Sequence, residues 1–137
     1  MLRAFDAADN LIASWGSHGV GDGQFGWPHA IWTFADGRVV VVDRSLNREQ
    51  VFDREGRHLE SWREFYQPVG ICGDDERCAY VSDMVPSLQK IGPKGERLGH
   101  CRPLLNGAHG IFGTPDGDIL LAEGNPSRIT RLRLQPA

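Results

Sequence analysis

The sequence predicts an all-β chain made of three copies of a four-stranded antiparallel unit, and three observations carry that prediction. A short motif recurs without a gap: Pro28-His29-Ala30-Ile31, Pro68-Val69-Gly70-Ile71 and Ala108-His109-Gly110-Ile111 follow one another at intervals of 40 residues. Its companion positions Val42-Asp43, Ser82-Asp83 and Ala122-Glu123 keep the same interval, as do Val51 and Ile91. The apolar runs are short and rich in β-branched residues, which suits strands better than helices. Turn chemistry separates them, with Asp36-Gly37 and Asp116-Gly117 placed where a tight hairpin needs positive φ.

Taken in order, Leu2 to Asp6 and Leu11 to Trp15 read as the last two strands of an incomplete first unit, residues 1–27. Three units follow, at about 28–67, 68–107 and 108–137, within a single domain spanning 1–137. In the first, Val39-Val40-Val41-Val42 has no polar alternate, so this strand is expected to be covered on both faces. Asp53-Arg54-Glu55-Gly56 and Pro93-Lys94-Gly95 close outer hairpins. In the last unit Gly110 to Gly113, Ile119 to Ala122 and Ile129 to Leu134 supply three strands. A four-strand period near 40 residues is the mark of a β-propeller, whose rings close with about four to eight blades. Three blades make half of a six-bladed ring. The expected solution state is a homodimer in which Leu11 to Trp15 of one copy completes the sheet ending near Leu134 of the other, with missing blades carried on another polypeptide as the alternative.

Composition narrows the partners. The chain has 137 residues, 40% of them hydrophobic, with a formal net charge of −3 and basic residues scattered among acids. No electrostatic footprint for a phosphate backbone is visible, so nucleic acid is not an expected partner. No run of eighteen apolar residues and no basic-then-apolar leader is present, which predicts neither a membrane span nor secretion. Cys72, Cys78 and Cys101 are odd in number and lack C-x-x-C spacing, so reduced thiols in a cytoplasmic protein are expected.

The segment Trp15-Gly16-Ser17-His18-Gly19-Val20-Gly21-Asp22-Gly23-Gln24-Phe25, then Asp36-Gly37-Arg38-Val39-Val40-Val41-Val42-Asp43 and Asn47-Arg48, resembles the NHL repeat. The match is strongest in the first unit. In the second, Asp74-Asp75-Glu76-Arg77 replaces the Asp-Gly turn, and in the third Ser127-Arg128 stands for Asn-Arg. The Gly16 to Gly23 stretch lacks the Lys and Ser or Thr of a phosphate-binding loop and does not recur as a calcium nonapeptide would, so an inter-blade loop is expected there.

His29 and His109 occupy equivalent positions at the starts of the first strands of units one and three, so repeat geometry aims both imidazoles at one axial region. Two histidines leave a zinc ion in need of further ligands, and four would converge in the dimer. Their context is similar to the lyase domain of peptidylglycine amidating enzymes and its bacterial NHL relatives. That resemblance implies that His29 and His109 hold zinc in the channel. It departs at the family's loop tyrosine, where Ser45 and Leu46 stand after Asp43, and Pro86 follows Asp83. A hydrogen bond from each imidazole to a loop carbonyl is the competing role for the histidines, with metal-free acid–base chemistry a third. Glu123, which shares its unit with His109, is the candidate catalytic carboxylate, and Arg44 the candidate contact for an anionic substrate. Asp43 and Asp83 are expected to tie down loops by accepting backbone N–H bonds. Trp27 and Trp32 flank His29 and are candidates to wall a pocket. His18, His58 and His100 are expected in solvated loop or outer-strand positions.

Two functional readings follow. One is a metal-dependent lyase or hydrolase of a small molecule or peptide; the other is a non-catalytic protein-interaction or ligand-binding propeller module.

Overall fold

The computed structural model describes residues 1–85, 87–103 and 107–133. Strands β1 (Leu2–Phe5) and β2 (Leu11–Trp15) form an antiparallel hairpin, and β3 (Ser17–His18) and β4 (Gln24–Phe25) a short parallel ladder inside the glycine-rich segment. A first four-stranded sheet holds β5 (Pro28–Thr33), β6 (Val39–Asp43), β7 (Arg48–Phe52) and β8 (His58–Trp62) in sequence order. A second holds β9 (Pro68–Gly73), β10 (Ala79–Asp83), β11 (Ser87–Ile91) and β12 (Arg97–Cys101). The third pairs β13 (Ala108–Gly113), β14 (Ile119–Gly124) and β15 (Ser127–Leu132); Leu134, expected at its edge, lies outside the described residues. Every pairing in the three larger sheets is antiparallel, and β5, β9 and β13 lie side by side. The chain is thus nearly all β, as the sequence predicts.

The turns form where the sequence places them. Gly37 (φ 91°) and Gly117 (φ 82°) take the left-handed position of their hairpins. In the second unit Arg77 adopts it at φ 66°, which a non-glycine residue does at some steric cost.

Packing between sheets explains the valine run. Val39 and Val41 face the β1–β2 hairpin in a cluster with Phe25 and Phe52, against which Leu2 and Trp15 pack. Val40 and Val42 face the opposite way, joining Val51, Trp62, Ile71, Val81 and Ile91 between the first and second sheets. Between the second and third sheets lie Tyr80, Leu88, Ile119 and Leu121. One equivalence read from spacing is displaced. Val39 pairs with Phe52 and Ala79 with Ile91, so Phe52 rather than Val51 is the counterpart of Ile91. The cause is the β10–β11 connection, one residue shorter than that between β6 and β7. Val51 and Ile91 meet instead from opposite sides of one core.

A tryptophan repeats the inter-sheet contact. Trp62 at the end of β8 lies over Gly95 in the β11–β12 turn, and Trp15 at the end of β2 lies over Gly56 in the β7–β8 turn. A Cβ at either glycine would overlap the indole. The hairpin β1–β2 therefore seats on the first sheet as the first seats on the second.

Glu49 is out of keeping with this interior. It is fully buried on the face of β7 that carries Val51, opposite Trp62, and neither carboxylate oxygen has a hydrogen-bond partner among the described residues. Burial pushes its carboxyl from an ordinary value of 4.5 up to about 8. The folded protein keeps a proton that the unfolded chain releases, so Glu49 erodes stability as pH rises from about 4.5 to about 8. Urea titrations across that interval are expected to show the wild type losing stability relative to Glu49→Gln, whose side chain does not ionise. A difference that stays constant with pH would contradict the assignment.

Candidate functional site at the start of the inner strands

The second residue of each inner strand is a β-bulge. Pro28 pairs with Asp43 and Ala30 with Val42, leaving His29 without a partner, and the same slip leaves Val69 and His109 unpaired. A bulge re-aims its side chain out of the regular alternation. The two imidazoles meet as a result, with ring centroids 5.7 Å apart and planes inclined at 58°. His29 Nδ1 lies 2.7 Å from the Val69 carbonyl of the strand between them. A carbonyl only accepts, so Nδ1 carries a proton, and in the neutral imidazole Nε2 then keeps its lone pair. His29 is half-buried and His109 exposed.

The carboxylates at the ends of β6, β10 and β14 are committed to hydrogen bonds. Asp43 accepts the Gly26 N–H (3.1 Å) and the Trp27 N–H (2.9 Å), and its Oδ2 lies 3.4 Å from Nε of Arg48, which is itself 1% exposed. Arg48 also donates to the Gly21 and Gln24 carbonyls, and Gln50 bonds the Gly23 N–H and the Gln24 carbonyl. The glycine-rich loop is thus fastened to β6 and β7 through its backbone. Asp83 accepts from Ser87 and Gln89, and Gln89 lies at the limit of hydrogen-bonding distance from the Glu64 carbonyl. Glu123 accepts from the Arg128 guanidinium and the Thr130 hydroxyl.

Arg44 follows Asp43 in a short 3-10 turn, Arg44–Leu46. Its N–H donates to the Trp27 carbonyl, and its guanidinium lies 5.4 Å from the centre of the exposed Trp27 ring. The second unit repeats the backbone bond from Met84 N–H to the Tyr66 carbonyl, so exposed Tyr66 stands where Trp27 stands. Sequence reading missed Tyr66, because Gln67 is inserted between it and Pro68 and hides the equivalence. Trp32 does not join Trp27; it lies at the opposite end of β5 and packs between the sheets. His58 is half-buried, bonded to Ser61 and edge-on to Phe52.

Comparison with known proteins finds relatives and solved structures of modest similarity. No family model matches it. It is 30% identical over 120 residues to NHL repeat-containing protein 3 of Mus musculus, covering 85% of this chain and 30% of that protein. To protein lin-41 of Caenorhabditis elegans it is 43% identical over 53 residues, 39% of this chain and 5% of that one. Streptogramin B lyase superposes with a TM-score of 0.63 at 18% identity over 80% of this chain and 41% of that chain. A catalytically inactive H270A virginiamycin B lyase from Staphylococcus aureus with quinupristin gives 0.62 at 14% identity, covering 80% and 42%. These likenesses support an NHL- or propeller-like family. The chain spans less than a third of the curated relatives and about two-fifths of these solved structures.

The geometry gives the NHL-like pattern a physical reading. The Asp of V-x-D, the Arg after Asn47 and the Gln24 carbonyl at the close of the glycine stretch form one hydrogen-bonded group, which sets where β5 and therefore His29 begin. Removing the Asp43 carboxylate leaves the buried Arg48 charge with only the exposed Asp22 carboxylate, 3.9 Å away, as counter-ion. Asp43→Ala is expected to cost about 3–5 kcal/mol in urea unfolding. A loss well under 1 kcal/mol would mean that the group does not hold the loop.

Proposed function

We propose that the chain forms half of a six-bladed NHL-type propeller closed by a second copy. In this reading His29 and His109 hold a zinc ion at the channel mouth, for a lyase- or hydrolase-like reaction on a small molecule or peptide in the cytoplasm. The observation that carries the reading is the convergence of two bulged histidines across β9, with His29 Nε2 left free by the bond from Nδ1 to Val69. Ligating histidines characteristically donate their other ring N–H to a carbonyl or carboxylate. The donor set fits zinc in kind and falls short in number, so the remaining ligands would come from the second copy, water or substrate. Bound there, zinc would polarise a substrate oxygen or lower the pKa of a water molecule. Arg44, held on Trp27, would receive an anionic group of the ligand. Glu123 would act as a base only on leaving Arg128 and Thr130. The lyases among the solved neighbours support this reading at the level of fold.

Closure by a second copy draws on the exposed apolar faces. Phe112 and Ile129 lie on the face of the third sheet that corresponds to Val40 and Val51 in the first, and are 58% and 68% exposed. Phe5, Leu11 and Ile12 of the β1–β2 hairpin are also more than half exposed. Covering both sets against each other removes two apolar patches and two open strand edges at once.

A non-catalytic binding module is the second reading, favoured by the engagement of Asp43, Asp83 and Glu123, each hydrogen-bonded away from a free base role. Elemental analysis separates the two. The enzyme reading expects stoichiometric zinc in purified protein, lost in a His29→Ala/His109→Ala variant whose circular dichroism is unchanged. Protein that carries no metal and takes up none on dialysis against zinc would leave only the binding module.

A further inference from the structure

The repeat itself marks a second site. Register makes Phe34, Val40 and Val51 of the first unit equivalent to Asp74, Tyr80 and Lys90 of the second. In the first unit these three are buried apolar residues in the core between sheets. In the second they form a polar group: the Tyr80 hydroxyl donates to Asp74 at 3.1 Å, and Lys90 Nζ lies 3.8 Å from Asp74 and 5.4 Å from the centre of the Tyr80 ring. A cavity of about 650 Å³ opens there, between the second and third sheets. It lies at the far end of the inner strands from His29 and His109, about 10 Å along each strand at ~3.3 Å per residue. A departure from the chain's own packing template, polar at three positions whose equivalents are apolar, marks a site kept for something other than stability.

The lining specifies a ligand. Trp32 reaches across from the first sheet, close enough to Gly73 that a Cβ there would overlap its indole, and with Tyr80 it supplies aromatic wall. Asp75, Glu76 and Asp116 stand exposed on the rim and make no ion pair among the described residues, whereas Asp118 is paired with Arg131. A Glu76 carboxylate oxygen, an Asp74 oxygen and the Cys78 sulfur lie within 4.8 Å of one another. Burial first, and Asp74 after it, push the Cys78 thiol up, so the negative charge at this edge belongs to carboxylates. An aromatic wall beside unpaired carboxylates is the arrangement that holds organic cations. Lys90 already shows it from within, its ammonium resting on Tyr80 beside Asp74.

We propose that this cavity binds a small organic amine, with its apolar body against Trp32 and Tyr80 and its ammonium at the rim carboxylates of Asp75, Glu76 and Asp116. The site is separate from the histidine pair and needs no metal.

Isothermal titration of the full chain with 2-phenylethylamine and with phenylacetate, its anionic counterpart, tests this. The amine is expected to saturate one site and to bind at least about tenfold more tightly than phenylacetate. Glu76→Gln/Asp116→Asn changes only exposed side chains and is expected to weaken amine binding about tenfold. Asp74→Phe/Tyr80→Val/Lys90→Val rebuilds the packing of the first unit and is expected to abolish it. Absent saturation, equal affinity for the two compounds, or undiminished binding in the rim variant would each overturn the proposal. Because the rim variant leaves the interior untouched, the test stands even if the triple variant fails to fold.

Discussion

The larger sheets in this protein carry apolar side chains on both faces, and that single constraint orders the rest. A strand such as β6, with valines pointing alternately to either side, gains burial worth about 1.5–3 kcal/mol per side chain only when a neighbour covers both faces. The β1–β2 hairpin covers one side of the first sheet and the second sheet covers the other. Stacking in this manner brings β5, β9 and β13 side by side, and so brings equivalent residues of different units within reach of one another. The pairing of His29 with His109 follows from sheet stacking, which brings their strands within reach, together with the bulges that aim both side chains.

Polar groups inside the stack fix its details. The Asp43–Arg48–Gln50 group fastens the glycine loop before β5 begins, and Asp83 with Gln89 and Glu123 with Arg128 repeat the arrangement with different partners. The bulge adjoining each carboxylate strand end turns one residue per inner strand out of the ladder. Position is thus set by hydrogen bonds and direction by the slip in register. Glu49 has no such partner among the described residues, which is why its ionisation sets a pH limit on the core.

Much of this was legible in the residues. The 40-residue interval, the Asp-Gly turns and the unbroken valines report periodicity and backbone conformation, which sequence encodes directly. Register slips leave no such trace. The bulges at His29, Val69 and His109 preserve the spacing of the motif while changing which residues pair, and the shorter β10–β11 connection moved Phe52 into the place that spacing gave to Val51. The convergence of His29 and His109 was readable from repeat equivalence, but the engagement of Glu123 with Arg128 and Thr130 depends on cross-strand neighbours. Tyr66 and the cavity beside Lys90 escaped notice for a related reason, since both depend on units compared after correct registration.

The account rests on sheets that require covering on both sides, and the third sheet presents Phe112 and Ile129 uncovered. Light scattering coupled to size-exclusion chromatography measures the consequence directly. The account predicts a single species of twice the 15.2 kDa chain mass. A well-behaved monomer, stable at high concentration with those faces in water, would contradict it.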